Sequence, residues 1–527
     1  MITGKNFIGG TASAKGNKTY KTFNPKDNKE TEWTFYEATE EEIDEAVEKA
    51  SKAFAVFKNI SGVKKAGFLR AIADEIQALG EPLIQAYVTE SGLSGGRANG
   101  ERGRTMGQLR AFAELLEQGS WVEATIDTAQ PDRKPLPKSD IRKMLEPLGP
   151  VAIFGASNFP FAFSTAGGDT ASVLAAGCPV IVKSHPMHAA TGELVSSAII
   201  RAARRTGMPD GVFSNLNSSG IEVGQQLVMH PKVKGVGFTG SINGGMALYR
   251  LANERPELIP VFAEMGSINP VLALPSALEE KGSQWAASYA GSITLGAGQF
   301  CTNPGLILGI KGKALDNFVT ELGKEIVKIA PSVMLHPNIH NGFEQGKGEL
   351  SFQKETAVVG SYVEAVPSNF AQQMVLTVSA KDFLKNTVLH REVFGPFSLI
   401  VQCMDAEEME NVLDHLEGQL TGTILGSAEE LKQYGNIVDA LKSRVGRIIF
   451  NGVPTGVEVC PSMQHGGPFP ASTDSRFTSV GVSAIKRWVR PVSYQDWPQE
   501  LLPDTLKDEN PLGIIRLVNS TYTDKWI

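Results

Sequence analysis

The chain has 527 residues, of which 42% are hydrophobic and 20% are charged, as is usual for a soluble globular protein. This length exceeds what one core usually organises, so two or three domains are expected. The net charge of −7, with dispersed basic residues, argues against a nucleic-acid groove or an anionic membrane surface. No apolar run is long enough to span a bilayer and the N-terminus lacks a signal-peptide pattern, so we expect a cytoplasmic protein.

The first third of the chain is predicted to be helical. Thr39 and Glu42 have the spacing of a capping box and precede apolar residues at helical intervals. A second helix is predicted to end at Gly80 and a third to span 100–119. After a proline-rich crossing, residues 141–145 have the composition of a strand.

From residue 151 the pattern changes to short apolar strands that alternate with helices. The predicted strands are 151–154, 180–183, 212–215, 236–239 and 260–264, with helices at about 165–177, 189–206, 220–229 and 243–253. This alternation predicts an α/β fold with a doubly wound parallel sheet. Further strands at 271–274 and 306–310, with helices between and after them, predict a second α/β unit, and a last strand is expected at 488–494.

The cysteine most suited to chemistry is Cys301, which stands among small residues with glycines at 296, 298 and 305. A thiolate adds to a carbonyl carbon and later leaves from a thioester, so Cys301 is a candidate nucleophile. The alternative is a buried structural cysteine. No Cys-x-x-Cys pair or His-Glu-x-x-His motif is present, which predicts reduced thiols and no metal.

Polar residues follow several predicted strands, where ligands bind in doubly wound sheets. Asn158 is either an oxyanion donor or the residue that closes an Asx turn. Lys183 is either a contact for ribose or phosphate or a solvated lysine. Gly240 and Ser241 open a helix whose N-terminus is able to hold a phosphate, or form a compact turn.

Three further residues complete this set. Glu264 ends an apolar strand, where burial would raise its pKa toward that of a general base; the alternative is a buried ion pair. Glu392 and Phe394 precede a Gly-Pro turn, and the alternative for them is a surface acid beside a packed aromatic.

Taken in this order, the motifs resemble those of the aldehyde dehydrogenase superfamily over nearly the whole chain. They are the Asn158-Phe-Pro run, Lys183, Phe-Thr-Gly-Ser at 238–241, Glu264-Met-Gly, Gly298-Gln-Phe-Cys301 and Glu392-Val-Phe-Gly-Pro. The fuller runs at 154–160, 166–170, 261–270 and 296–305 are similar to those of 2,5-dioxovalerate (α-ketoglutarate semialdehyde) dehydrogenases. Bacterial NADP-dependent fatty aldehyde dehydrogenases share much of this pattern.

The resemblance implies a role for each residue. Cys301 would add to the aldehyde, Asn158 would stabilise the oxyanion, and Glu264 would activate the water that hydrolyses the thioester. Lys183 would bind the adenosine ribose or its phosphate and Ser241, beside Gly240, the pyrophosphate. Glu392 would bind the nicotinamide ribose, with Phe394 beside the nicotinamide.

The chain departs from the family pattern at two positions. Pro186 stands where NAD-preferring members place a glutamate, so nothing anionic would repel a 2′-phosphate, to which Ser184 and His185 could donate; NADP is expected to be preferred over NAD. Gly167 stands where many members carry a lysine that assists the glutamate. The family pattern therefore does not identify which group assists Glu264 in thioester hydrolysis here.

Substrate choice depends on the far end of the aldehyde. A carboxylate there needs a cation about 5–8 Å beyond the reacting carbon, and we propose Arg104 for this role, with a surface arginine as the alternative. A long-chain aldehyde would instead need an apolar funnel, for which Phe161 and Phe163 are candidates.

The resemblance also implies the domain plan. Residues 1–132 and 148–263 would form the dinucleotide-binding domain and 264–480 the catalytic domain. Residues 133–147 and 481–527 would form an oligomerisation arm and tail, and the arm predicts a homodimer or homotetramer. A non-redox cysteine hydrolase, with His336 or His340 as its base, and a binding protein without turnover are the rival interpretations.

Overall fold

The computed structural model describes residues 2–527. Its N-terminal part begins with four strands, β1 (Asn6–Ile8), β2 (Thr11–Ser13), β3 (Thr19–Asn24) and β4 (Lys29–Tyr36). The prediction of a helical first third is therefore wrong for this stretch. β1 and β2 have only three residues each, and β3 and β4 form a separate hairpin made mostly of polar residues, so none of them shows the apolar alternation that marks a strand in sequence.

Four helices follow, α1 (Glu40–Phe57), α2 (Gly62–Ala78), α3 (Gly80–Ser91) and α4 (Gly95–Gln118). The capping box is confirmed, since the Thr39 hydroxyl accepts from the Glu42 amide and the Glu42 carboxylate accepts from the Thr39 amide. Gly80 and Pro82 end α2 as predicted but also begin α3, because proline is tolerated in the first turn of a helix. The third predicted helix is α4, which begins five residues earlier than the pattern indicated.

The first large sheet contains the strands predicted between residues 151 and 264. The elements from residue 125 to residue 264 are β5 (Thr125–Asp127), β6 (Ile141–Pro147), β7 (Val151–Phe154), α5 (Gly168–Ala176), β8 (Val180–Lys183), α6 (Ala189–Arg205), β9 (Phe213–Leu216), α7 (Glu222–Met229), β10 (Gly235–Thr239), α8 (Ile242–Asn253) and β11 (Val261–Glu264). The strand order is β11-β10-β7-β8-β9-β1-β2, with β7 to β11 parallel. The doubly wound α/β prediction is confirmed.

A second seven-stranded sheet follows along the chain. Its region contains β12 (Val271–Ala273), α9 (Pro275–Thr294), β13 (Leu306–Ile310), α10 (Lys313–Ile326), β14 (Ser332–Val333), α11 (Pro337–Ser351), β15 (Ala357–Ser361), β16 (Phe370–Ala371), β17 (Met374–Ser379), α12 (Ala380–Lys385), β18 (Phe397–Cys403), α13 (Ala406–Asp414), β19 (Gln419–Leu425), α14 (Ala428–Gln433), α15 (Gly435–Arg444) and β20 (Val445–Phe450). The order is β15-β17-β18-β13-β12-β19-β20, parallel except for β15. Each sheet has its own buried apolar clusters.

A smaller five-stranded sheet joins distant parts of the chain. The last strands, β21 (Val489–Gln495), β22 (Arg516–Val518) and β23 (Thr521–Thr523), combine with β5 and β6 in the order β21-β6-β5-β22-β23. Just before β21, Val482–Trp488 forms a 3₁₀ turn whose Trp488 lies in the core of the first sheet. Among residues 2–527, no helix combines the length and apolar character that crossing a membrane requires.

Candidate active site

Three segments of the chain bring Cys301, Glu264 and Asn158 close together. Glu264 ends β11, Asn158 follows β7, and Cys301 lies in the turn between α9 and β13. The Cys301 Sγ and a carboxylate oxygen of Glu264 lie within 4.8 Å of each other. Asn158 Nδ2 donates to the carbonyl oxygen of Gln299, two residues before the thiol, at 3.0 Å. An amide nitrogen carries two hydrogens, so the second remains for an oxyanion.

The turn that carries the thiol is held by close backbone contacts. Gly298 has φ of +66°, and a Cβ there would come within 2.2 Å of the Gly395 carbonyl. Only glycine is compatible with both the backbone conformation and the contact. The carbonyl of Cys301 accepts from Asn269 Nδ2 at 2.9 Å, and Asn269 is buried. The thiol therefore projects from a turn fixed on both sides.

His465, which the sequence analysis did not single out, joins these residues. Its Nε2 lies 3.4 Å from Cys301 Sγ and 3.0 Å from Glu264 Oε1, and the ring is buried. A proton that leaves the thiol can therefore pass to the His465–Glu264 pair. His465 and Cys301 are 164 residues apart, so no local spacing links them. The one hint in the sequence is the pair of glycines that follows His465, which is typical of a tight loop.

The surroundings of Glu264 differ from those we expected. Its Oε2 accepts a hydrogen bond from Ser479 Oγ at 2.6 Å. Burial opposes ionisation of this carboxyl, but interactions with His465, Ser479 and Cys301 outweigh it and hold the pKa of Glu264 below its ordinary value. The predicted rise is wrong, because the buried partner of the alternative interpretation is present.

The pKa of the Cys301 thiol is shifted in the opposite direction, upward. Burial, and next the negative charge of Glu264, raise the pKa of Cys301 well above its ordinary range, whereas nearby Arg104 opposes the rise. At neutral pH the sulfur therefore carries its proton, and a base must remove it before it attacks a carbonyl.

Gly167, which stands where the family pattern has a lysine, lies against the backbone of Ala162 and Ser164. A Cβ at residue 167 would come within 2.4 Å of the Ala162 carbonyl oxygen, so a lysine would not fit this turn. Besides the Cys301 thiol, His465 and Ser479 contact the Glu264 carboxylate in this structure.

A cleft of about 590 Å³ opens at the carboxyl ends of β7, β8 and β10. Lys183, His185, Gly240 and Ser241 line it, with apolar side chains between them. Ser241 caps α8, its hydroxyl accepting from the Gly244 amide at 3.2 Å, so the N-terminus of this helix borders the cleft. Helix N–H groups and an amine suit phosphate, and the cleft fits the adenosine and phosphate part of a dinucleotide.

Two basic residues of the cleft are strongly affected by burial. Lys183 Nζ donates to the Ser218 carbonyl at 2.9 Å, and burial lowers its pKa to about 8. The pKa of His185 is lowered well below its ordinary value by burial and then by its neighbour His188. Ser184, by contrast, is 1% exposed and does not line the cleft, so the structure does not bring its hydroxyl to the place expected for a 2′-phosphate.

Glu392 and Phe394 lie beside the turn that carries Cys301. Both line a small cavity together with Ser267 and Phe300. A Cβ at residue 266 would come within 2.3 Å of Glu392 Oε2, so this carboxylate rests against the glycine that follows the Glu264-Met pair. Burial raises the pKa of Glu392 to about 7.

Arg104 lies inside the site and not on the surface. Its guanidinium is 5.2 Å from the centre of the Phe163 ring, and its Nη2 donates to the Val457 carbonyl at 3.3 Å. Phe163 in turn lies 5.9 Å from the His465 ring, between ring centres. Phe161, by contrast, is 2% exposed and packs against Tyr87 in the first core, so it does not line an aldehyde channel.

Within the described range 2–527, two groups of side chains have the types that metals prefer. One is Glu264, Cys301 and His465, whose closeness follows from the contacts given above; the other is Asp44, Glu48 and His230 on the surface. In the second group His230 faces Asp44 at 3.2 Å, and Glu48 pairs with a lysine. Ion pairing accounts for this arrangement, and the absence of a metal stays a prediction.

Residues 11–473 match the Aldehyde dehydrogenase family. The chain belongs to this family. It is 48% identical to alpha-ketoglutaric semialdehyde dehydrogenase 2 of Azospirillum brasilense, covering 98% of this chain and 99% of the relative. It is 45% identical to an alpha-ketoglutaric semialdehyde dehydrogenase of Acinetobacter baylyi, with 99% of each covered.

Solved structures agree on the fold. A methylmalonate-semialdehyde dehydrogenase from Oceanimonas doudoroffii matches with a TM-score of 0.81 at 18% identity, covering 94% of this chain and 99% of that chain. An aldehyde dehydrogenase from Pseudomonas aeruginosa matches with a TM-score of 0.80 at 20% identity, covering 94% and 97%. This protein therefore has the aldehyde dehydrogenase fold, and it is an NAD(P)-dependent enzyme of that family.

Proposed function

We propose that this aldehyde dehydrogenase oxidises α-ketoglutarate semialdehyde (2,5-dioxopentanoate) to 2-oxoglutarate and that it prefers NADP. Identity of 48% and 45% over nearly the full length with relatives named for this substrate supports the substrate. The cluster of Cys301, His465 and Glu264, whose Sγ, ring nitrogen and carboxylate oxygen lie within 4.8 Å of one another, is the observation that carries the chemistry.

The first step is addition of Cys301 to the aldehyde carbon. The thiol proton passes to the His465–Glu264 pair, and the sulfur forms a bond to the carbonyl carbon. The oxygen, now negative, accepts hydrogen bonds from Asn158 Nδ2 and the Cys301 N–H. In comparable sites each such donor is worth about 3–4 kcal/mol.

The second step is release of the acid. When bound, the nicotinamide supplies a hydride acceptor, which allows the adduct on Cys301 to become a thioester. The pair releases the first proton to solvent, and Glu264, ionised again and hydrogen-bonded to Ser479, then takes a proton from the attacking water. Cys301 leaves as the thiolate and recovers a proton, which completes the cycle.

Arg104 is proposed to bind the carboxylate at the far end of the substrate. Among residues 2–527 no carboxylate lies within ion-pair distance of its guanidinium, and its one protein hydrogen bond is to a backbone carbonyl. A free guanidinium beside the Phe163 ring is suited to a carboxylate. Arg102 and Arg110 of the same helix instead bond to Asn99 and Asp74 at the surface.

The NADP preference is argued from what lies near the adenosine end of the cleft. Pro186 begins a 3₁₀ turn directly after His185, so no carboxylate at this position would repel a 2′-phosphate. Lys183 and His185 both line the cleft and are the donors proposed for that phosphate. Ser184 is no longer part of this proposal, because it is buried elsewhere.

The assembly and location complete the proposal. The proposed domain boundaries are those implied by the resemblance, except that β5 (Thr125–Asp127) joins the arm, and the five-stranded sheet is the arm by which copies are proposed to associate into a dimer or tetramer. A cytoplasmic location stays a prediction.

The rival functions differ in what they require. A long-chain aldehyde would need an apolar channel, whereas the place proposed for the far end of the substrate contains the charged Arg104. A non-redox cysteine hydrolase would use His465 rather than His336 or His340 as its base, and it would act without a dinucleotide. Cofactor reduction that is lost in Cys301→Ser separates the dehydrogenase from both the hydrolase and a binding protein.

The experiment that tests the substrate compares three aldehydes, namely α-ketoglutarate semialdehyde, succinic semialdehyde and a long alkyl aldehyde, with NADP and NAD. We expect the highest kcat/KM for the first aldehyde with NADP. In Arg104→Met, kcat/KM for that aldehyde should fall about 10- to 100-fold, as for loss of a charge-assisted hydrogen bond, while a neutral aldehyde is unaffected. Arg110→Met is the matched control, and equal loss for both aldehydes would contradict the role of Arg104.

A further inference from the structure

A buried carboxylate on α4 organises the segment that carries Asn158. Glu101 is 4% exposed, and its Oε1 accepts from the amides of Phe161 and Ala162 at 2.8 and 2.9 Å. Its Oε2 accepts from the Tyr87 hydroxyl at 2.5 Å. The chain just after Asn158 is therefore tied to α4 through one side chain.

Arg97, one turn earlier on the same helix, reaches both catalytic segments. Its guanidinium lies 4.6 Å from the centre of the Phe159 ring and 4.7 Å from that of Phe300. The two rings meet edge to face at 5.4 Å between centres. Phe159 directly follows Asn158, and Phe300 directly precedes Cys301. One cation therefore contacts both the neighbour of the oxyanion donor and the neighbour of the nucleophile.

The charge of Arg97 is already balanced within the protein. Its Nε lies 3.5 Å from Glu101 Oε2, and its side chain is 22% exposed. Arg104, two turns further along α4, has no such partner among residues 2–527. Arg97 is thus a poor candidate for binding a substrate carboxylate, although it lies close to the aldehyde site.

We propose that Arg97 and Glu101 form a positioning pair that sets the spacing between Asn158 and Cys301. Glu101 holds the backbone after Asn158, and Arg97 holds the two phenyl rings that flank the reacting groups. Because the oxyanion forms between the two segments, a shift of about 1 Å in their spacing would cost on the order of 100-fold in rate. The role applies to any aldehyde and does not depend on the proposed substrate.

The test measures kcat and KM of Arg97→Met with both α-ketoglutarate semialdehyde and propionaldehyde, per titrated Cys301 thiol. We expect kcat to fall at least tenfold with both aldehydes, whereas KM and the Kd for NADP change less than twofold. Arg97→Lys keeps the charge but loses the planar stacking, so it should recover only part of the rate. Arg102→Met is the control and should retain full activity, because Arg102 is a half-buried neighbour on the same helix whose guanidinium bonds to Asn99.

Two results would overturn the proposal. Unchanged kcat per titrated thiol in Arg97→Met would show that the pair affects only folding yield. A loss confined to the carboxylated aldehyde would make Arg97 a substrate-binding residue. If Arg97→Met does not fold, Glu101→Gln provides the same measurement with the arginine in place. Failure of the substrate proposal is seen separately, in the aldehyde preference of the unmodified enzyme.

Discussion

The Cys301 thiol and the Glu264 carboxylate influence each other's ionisation in opposite directions. The thiol is held protonated by burial and by the carboxylate's charge, whereas the carboxylate is held ionised by His465 and Ser479. A resting enzyme with a protonated thiol is protected from oxidation, since the thiolate is the reactive form. Attack therefore depends on proton removal at the moment the aldehyde is in place.

This electrostatic arrangement predicts how fast Cys301 is alkylated. In the cofactor-free enzyme, iodoacetamide labelling of Cys301 should still accelerate as pH rises through 9, because the thiolate fraction grows below the raised pKa. Glu264→Gln removes the neighbouring negative charge, lowers the pKa of Cys301 and should speed labelling at pH 8. Peptide mass spectrometry distinguishes Cys301 from the half-buried Cys460, which serves as an internal reference.

The expected change is at Cys301 alone. Labelling of Cys460 should be the same in both proteins. If the pH profile of Cys301 is unmoved in Glu264→Gln, the carboxylate does not control the thiol, and the proposed proton path through Glu264 is wrong.

At the scale of single elements, the sequence predicted correctly those features whose interacting residues are close together in the chain. The Thr39–Glu42 capping box lies within one turn of α1, so its residues meet whatever the rest of the fold does. The boundary between α2 and α3 shows the opposite case: Gly80 and Pro82 end one helix, but whether a loop or a new helix follows depends on packing.

The capping box gives a stability prediction. Thr39→Ala removes the hydroxyl that accepts from the Glu42 amide, which should cost about 1 kcal/mol locally. Amide exchange in the first turn of α1 should then quicken by about fivefold, as measured by hydrogen–deuterium exchange. Thr39→Ser keeps the acceptor and should exchange like the unmodified protein; equal exchange in all three would show that tertiary contacts alone hold this helix end.

At the scale of the whole molecule, two open sheet edges favour association between copies. The strand β21 lies at one edge of the five-stranded sheet, and β20 lies at one edge of the second large sheet. On β20, Ile448 and Phe450 are 42% and 48% exposed, alternating along the strand so that they share a face. Exposed apolar residues on an open edge strand are a favourable surface for a partner.

The assembly prediction is tested by mass. The unmodified protein should scatter light as at least twice the 56.6 kDa chain mass. Ile448→Glu combined with Phe450→Lys should shift it toward the single chain, because charges would be buried at the interface. Phe352→Glu, at a position 88% exposed on another element, is the control. A monomeric unmodified protein would contradict the proposed association of copies.

The sequence by itself was sufficient for the parallel α/β plan, the family, and the motif residues Cys301, Asn158 and Glu264. The α/β plan follows from periodicity, whereas the family and these residues were inferred from the resemblance of short runs, whose members are adjacent in the chain, to aldehyde dehydrogenase motifs. Tertiary structure alone decided the rest: that His465 meets Cys301 across 164 residues, that Ser184 points away from the cleft, and that the pKa of Glu264 is lowered rather than raised. The physical reason is that ionisation and hydrogen bonding depend on distances of a few ångströms between groups that are remote in sequence, and only folding sets those distances.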